Sequence, residues 1–175
     1  ATFISLNDLT HYVVFAGLAW LLGYVLFRGW WHNRKIIQEM PSGADMRREA
    51  TWSALTVVIY GLVGSSTLAL KKLGWTQIYT KVDDYGWGWF WGSIVVVIFV
   101  HDAYFYWTHR LIHHPRLFRF FHGVHHESHN PSPWAAYCFS PGEAVIQAGI
   151  FPLVALTLPI HPGAFGIFML WQITF

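Results

Sequence analysis

Four stretches of this chain stay apolar for long enough to cross a bilayer core, which about 20 helical residues span. Leu9 to Phe27 carries no charge between Asp8 and Arg28, and Ala50 to Leu70 none between Glu49 and Lys71. Tyr85 to Val100 is uncharged and runs into His101 and Asp102, with the helix predicted to continue through Phe105, Tyr106 and Trp107. Ala144 to Phe175 contains no Asp, Glu, Lys or Arg. That run is too long for one straight span. Pro159-Ile160-His161-Pro162-Gly163 should break it into a helical hairpin, because proline lacks an amide donor and clashes with the preceding turn. Trp87, Trp89 and Trp91, with Tyr85 and Phe90, read as an aromatic belt at the start of the third span.

Buried core helices of a water-soluble protein would show similar runs. Composition decides against them: 54% of the 175 residues are apolar, 19% aromatic and only 11% charged. Soluble domains carry about 25% charged residues, so this chain cannot coat a water-facing globule. The one cysteine, Cys138, excludes a disulfide scaffold, and a scattered net charge of +2 excludes nucleic acid as a partner. The fold class is therefore all-α, a polytopic membrane helical bundle in one integrated domain. It has spans near 9–27, 50–70 and 85–105, a basic loop at 28–49, a histidine segment at 101–143 and a hydrophobic hairpin at 144–175. The chain opens Ala1-Thr2-Phe3 without a basic leader and stops inside an apolar run, so it reads as a fragment.

Lys and Arg concentrate on the cytoplasmic side of membrane proteins. Arg28, Arg34, Lys35, Arg47 and Arg48 lie in the first loop, and Arg110, Arg116 and Arg119 in the histidine segment. Lys71, Lys72 and Lys81 lie between the second and third spans. Eight positive charges against three put the first loop and the histidine segment in the cytoplasm and the N-terminus outside.

Against this apolar background the chain holds eleven histidines, eight of them from His101 to His129. At 100° per residue, His109 and His113 share one helix face, with Asp102 and Tyr106 on the same stripe and His101 about 80° off it. His122, His125 and His126 again occupy one side of a helical turn. Ionisable groups near a bilayer are expensive and default to function. Two helical faces of imidazoles can converge on metal, as in helix-bundle cofactor sites. A cap role suits His114, beside Pro115, as well as ligation does, and His129 lies in a Pro/Asn/Ser loop. His11, His32 and His161 carry no assigned role.

Structural zinc sites prefer cysteine. His126-Glu127-Ser128-His129 is one residue short of a zincin motif. Glu-x-x-His pairs of a carboxylate-bridged di-iron bundle are missing, and bis-histidine haem would leave most of the cluster idle. Imidazoles suit iron, copper, nickel or zinc, and five of them favour two ions over one. A histidine-rich membrane metal-binding or transport protein is the competing reading. It is disfavoured because the histidines cluster after a span rather than at its middle, and because no inverted repeat is visible.

The residues resemble those of the fatty acid hydroxylase/sterol desaturase superfamily of membrane non-haem iron oxygenases. The resemblance rests on Asp102-x3-Tyr106-Trp107-x-His109-Arg110-x2-His113-His114-Pro115 and on His122-x2-His125-His126. It also rests on the stretch Pro131-Ser-Pro-Trp134-Ala-Ala-Tyr137-Cys-Phe139-Ser-Pro141-Gly-Glu143-Ala-Val-Ile-Gln147, which looks like the sterol C5-desaturase branch. The resemblance implies that His109, His113, His122, His125 and His126 ligate two iron ions. His101, Asp102, His114 and His129 are implied as outer partners or further ligands, with more histidines beyond Phe175. It assigns Arg110 to a loop carboxylate or backbone carbonyl. It also implies a lipid substrate in the bilayer, either sterol or fatty acyl, hydroxylated or desaturated with O2. Electrons would come from a cytoplasmic donor similar to cytochrome b5 or ferredoxin. The membrane would be the plasma membrane in a bacterium or the endoplasmic reticulum in a eukaryote.

Overall fold

The computed structural model describes residues 2–32 and 34–174; the side chain of His32 and the last residue of the hairpin, Phe175, lie outside the described residues. Among the described residues the chain is helical without strands, apart from one isolated parallel bridge between Ile78 and Ile160. Among the described residues nine α-helices run in chain order as α1 Thr2–Trp20, α2 Arg28–His32, α3 Gly43–Lys72, α4 Gly86–Ile112, α5 Pro115–Phe121, α6 Gly123–His126, α7 Pro141–Ala148, α8 Ile150–Thr157 and α9 Pro162–Thr174. A π-helical turn, Leu21–Leu26, extends α1.

Among the described residues three segments are long and apolar enough to cross a membrane: Asp8–Leu26, Gly43–Lys72 and Gly86–Ile112. The first matches the expected 9–27. The second starts seven residues before Ala50 because Ser42 caps it: its hydroxyl accepts from the Asp45 amide at 3.0 Å and donates to the Asp45 carboxylate at 2.7 Å. The third runs past Trp107 as anticipated. It stops at Ile112 because the residue before a proline is driven out of the helical region, and His114 sits there in an extended conformation (φ −60°, ψ 133°). The hydrophobic hairpin breaks between Thr157 and Pro162 as read, but a second break at Gly149 separates α7 from α8.

The chain forms two compact units. The first comprises Ala1–Leu62 with Ile112–Val145, the second Val63–Leu111 with Ile146–Phe175. In the second, Phe90, Ile94 and Val97 of α4 recur at helical spacing. They bury with Ile150 and Val154 of α8, Ile160, and Ala164 and Phe168 of α9. Trp89 donates its indole N–H to the Pro159 carbonyl at 2.8 Å, tying the hairpin bend to α4. Of the expected belt Tyr85, Trp87 and Trp91 are exposed, Trp89 is half-buried and Phe90 is buried.

In the first unit, Tyr12, Ala16 and Val57 form the core with Trp134 and Tyr137. The carbonyl of Trp134 accepts from both the Tyr12 hydroxyl (2.7 Å) and the Ser53 hydroxyl (2.8 Å). The segment after the second histidine group is thereby held against α1 and α3.

Candidate metal centre

In the first unit four imidazoles gather at the turns around α5 and α6. His113 occupies the turn after α4 rather than the helix face expected for it, because Pro115 ends the helix before it. His122 lies between α5 and α6, its backbone N–H bonded to the Phe118 carbonyl at 2.8 Å. His125 and His126 close α6. Ring centroids are 4.6 Å apart for His113–His122 and for His122–His126. They are 5.1 Å apart for His122–His125 and 5.2 Å for His113–His126. A ring nitrogen of His113 lies within 4.8 Å of one of His122.

Phe118 packs against His113, His122 and His126, and Phe139 against His125. Only His122 is buried behind these rings; His113, His125 and His126 keep an exposed side. His109 stands in the last turn of α4, its ring stacked on Phe105 at 5.2 Å. It belongs to the second unit and precedes His113 by about one helical turn of sequence.

His122 is completely buried and its Nδ1 lies 2.8 Å from Oε1 of Glu143, itself 1% exposed. Burial pushes the Glu143 carboxyl up to about 8, while the imidazole N–H it accepts favours its charged form. His125 is held below the ordinary imidazole value, first by loss of hydration and then by the neighbouring His126 and His113 rings. The Cys138 carbonyl, which accepts from the His125 ring, opposes that shift. His125 is therefore neutral at pH 7, the state that ligates metal. Burial raises the Cys138 thiol, which keeps it protonated at neutral pH in this structure.

These residues fit a transition metal. The imidazole donor set suits first-row ions such as iron or zinc. Two rings have one nitrogen engaged by the protein, His122 by Glu143 and His125 by Cys138, as is usual for metal-ligating histidine.

The other anticipated residues are placed elsewhere. His114 caps α5, its Nδ1 accepting from the Arg116 amide at 3.3 Å. His101 sits in the second unit, where its Nε2 meets Gln172 at 3.0 Å, its Nδ1 meets Asp102 at 3.4 Å and its ring packs on Phe168. Asp102 is 63% exposed, and its bond is to His101. His129 is exposed. Arg110 takes the Tyr106 hydroxyl at 2.8 Å, in place of the carboxylate or carbonyl anticipated for it.

The carboxylate that meets an imidazole of the cluster is thus Glu143, 21 residues after its partner. Its signal in the sequence is its solitude, as the acid that opens an otherwise uncharged run to Phe175. Arg48 and Glu49 were also missed as structural partners. Arg48 donates to the Glu127 carbonyl at 3.0 Å, and the buried Glu49 carboxylate accepts from the Ser132 amide at 3.2 Å and from its hydroxyl.

Residues 94–175, which hold this cluster, match the family model described as fatty acid hydroxylase. Curated relatives agree over a longer stretch. A Delta(7)-sterol 5(6)-desaturase of Gibberella zeae is 29% identical over 150 residues, which is 86% of this chain and 44% of the relative. A Delta(7)-sterol 5(6)-desaturase of Aspergillus fumigatus is 37% identical over 113 residues, 65% of this chain and 35% of the relative. This chain belongs to the fatty acid hydroxylase/sterol desaturase superfamily. Lathosterol oxidase of Rattus norvegicus is a further superfamily relative, 28% identical over 136 residues, covering 74% of this chain and 46% of its own. The chain spans less than half the length of these superfamily members. No solved structure matches it. Superfamily membership and three apolar helices make it an integral membrane protein of the sterol desaturase-like branch.

Proposed function

We propose that the protein is a membrane-bound, O2-dependent lipid hydroxylase or desaturase whose two iron ions are held by His109, His113, His122, His125 and His126. The observation that carries this reading is the packing of three imidazoles around the buried His122, inside the segment that matches the fatty acid hydroxylase model. His109 joins the set by its place one turn before His113. The names of the relatives favour a sterol substrate.

When bound, iron would supply the reductive activation of O2 and the power to take hydrogen from an unactivated C–H. The overall hydroxylation consumes one O2, two electrons and two protons and yields an alcohol and water; desaturation yields an alkene and two waters. An external electron donor is therefore required, similar to cytochrome b5 or ferredoxin, and we place it with the histidines on the cytoplasmic side. The protein's own residues have simpler tasks. Neutral His125 presents a lone pair, Glu143 and Cys138 hold ring nitrogens of His122 and His125, and Phe118 and Phe139 pack on the rings of His126 and His125.

Metal analysis of the full-length protein tests this reading. The expected result is two irons per chain with O2 consumption that depends on reductant and lipid. Zinc, which has no redox chemistry, or metal-free protein with intact histidines would overturn it. His125→Ala is expected to abolish turnover while leaving membrane insertion unchanged; retained turnover would remove His125 from the ligand set.

A further inference from the structure

We infer that the turn from Ser140 to Glu143 is a positioning element that fixes the ring orientation and tautomer of His122, with the proton on Nδ1 and Nε2 left as the nitrogen for metal. Its metal part rests on the reading above; its tautomer part does not.

Three contacts from four consecutive residues converge on Phe121 and His122. The Ser140 hydroxyl donates to the Phe121 carbonyl at 2.6 Å and accepts from the Glu143 amide at 3.2 Å. One side chain therefore pins the residue before His122 and caps the start of α7. Gly142 lets the Phe121 ring lie directly on this turn, since an added Cβ would stand 2.6 Å and 2.7 Å from two ring carbons. Glu143 then meets His122 Nδ1 at 2.8 Å. With 0% and 1% of the two side chains exposed, water does not compete for the bond.

Oε1 accepts from Nδ1–H whether the carboxylate is ionised or carries its proton on Oε2, which has no hydrogen-bond partner among the described residues. In both states the proton stays on Nδ1; only a carboxyl proton on Oε1 itself would reverse the bond and put the imidazole proton on Nε2, which is the outcome the test reads as overturning. An imidazole without such a partner exchanges its proton between the two nitrogens and leaves Nε2 blocked for part of the time. The pairing is imposed by the fold, because 21 residues separate the partners. Outer-shell partners of this kind alter metal affinity by about 10–100-fold when removed.

The test uses full-length protein in bilayers, labelled with 15N-histidine and read by solid-state NMR without metal. The His122 signals are assigned by their loss in His122→Gln. Wild type should show a protonated Nδ1 and an unprotonated Nε2. Glu143→Leu should move population to the Nε2–H tautomer and weaken cobalt(II) binding by about 10–100-fold. Glu143→Gln, whose amide oxygen can accept the same bond, should restore most of both properties and serves if the leucine variant does not fold. A protonated Nε2 in wild type, or a leucine variant with unchanged tautomer, overturns the inference. In the absence of a folded leucine variant, a glutamine variant that loses cobalt while keeping the wild-type tautomer overturns it too. A tautomer that shifts without any change in cobalt affinity overturns its metal part. A wild-type Nδ1–H tautomer in protein that binds neither iron nor cobalt(II) supports the positioning element and overturns the metal-centre reading.

Discussion

His122 with Glu143 and His101 with Asp102 are the same chemical pair in two settings. The first is sealed in the first unit at 2.8 Å, with both side chains essentially without solvent and 21 residues of chain between them. The second joins adjacent residues at 3.4 Å, with Asp102 63% exposed. Water screens the second pair and hydrates its carboxylate in the open chain and the fold alike, so little is gained by forming it. For the first, folding strips water from a carboxyl group and an imidazole, and their mutual bond must replace what was lost. Sequence adjacency favours the weaker pair, and burial makes the stronger one consequential.

The sharpest way to break this comparison is to delete the imidazole from each pair. His122→Ala leaves the Glu143 carboxyl buried with its main bond gone. Stranding a buried hydrogen-bonding group costs about 1–3 kcal/mol and the lost ring adds a cavity term on top, read together as a lowered unfolding midpoint in detergent. Deleting His101 removes a ring packed on Phe168 and a bond to Gln172, which costs less because Asp102 remains hydrated. Equal losses would show that burial is not what separates the two pairs.

Gly142→Ala attacks the buried pair without touching either member. The new methyl would overlap the Phe121 ring at 2.6 Å. Overpacking of this kind costs about 1–3 kcal/mol, and the strain acts on the residue next to His122. Stability and cobalt(II) affinity should fall together. A fall in stability with unchanged affinity would show that Phe121 moves independently of the imidazole.

Glu49 sharpens the comparison further, since it too is buried but is held by hydroxyl and amide donors from Ser132. Glu49→Ala strands the Ser132 amide and should cost about 1–3 kcal/mol, also read as an unfolding midpoint. Its effect on metal affinity should be smaller than that of Glu143→Leu, because its bonds go to the loop after the second histidine group. Equal effects would place Glu49 in the same positioning role.

Much of the fold was legible because its signals are local. Three apolar runs gave three long helices, and Pro159 and Pro162 bracket the bend between α8 and α9. The grouping of His122, His125 and His126 was also readable, since it needs only one helical turn. His113 was assigned to a helix that Pro115 had already ended, and the signal for that lay two residues away. Glu143 was harder. Its partner is set by how α7 returns to α5, and no periodicity along the chain encodes a contact between such distant positions. Arg48 and Glu49 lie in the first turns of α3, in a stretch whose charge suggests a loop, and their side chains hold Glu127, Ser128 and Ser132. Composition marks that stretch as a topology signal; packing makes the start of α3 a brace for the loop after the second histidine group.

The smallest expected effect is the most discriminating control. Asp102 lies on the helical stripe of His109, which made it the natural candidate for an outer-shell carboxylate from spacing alone. In the structure its bond goes to His101, and most of its side chain is in solvent. Asp102→Asn keeps the shape, removes the charge and should shift stability by less than about 0.5 kcal/mol, as for other exposed sites. Cobalt(II) affinity should stay within about twofold of wild type, set against the about 10–100-fold loss that an outer-shell partner carries. A loss of that larger size from Asp102→Asn would return the role to the stripe and take it from the Ser140–Glu143 turn.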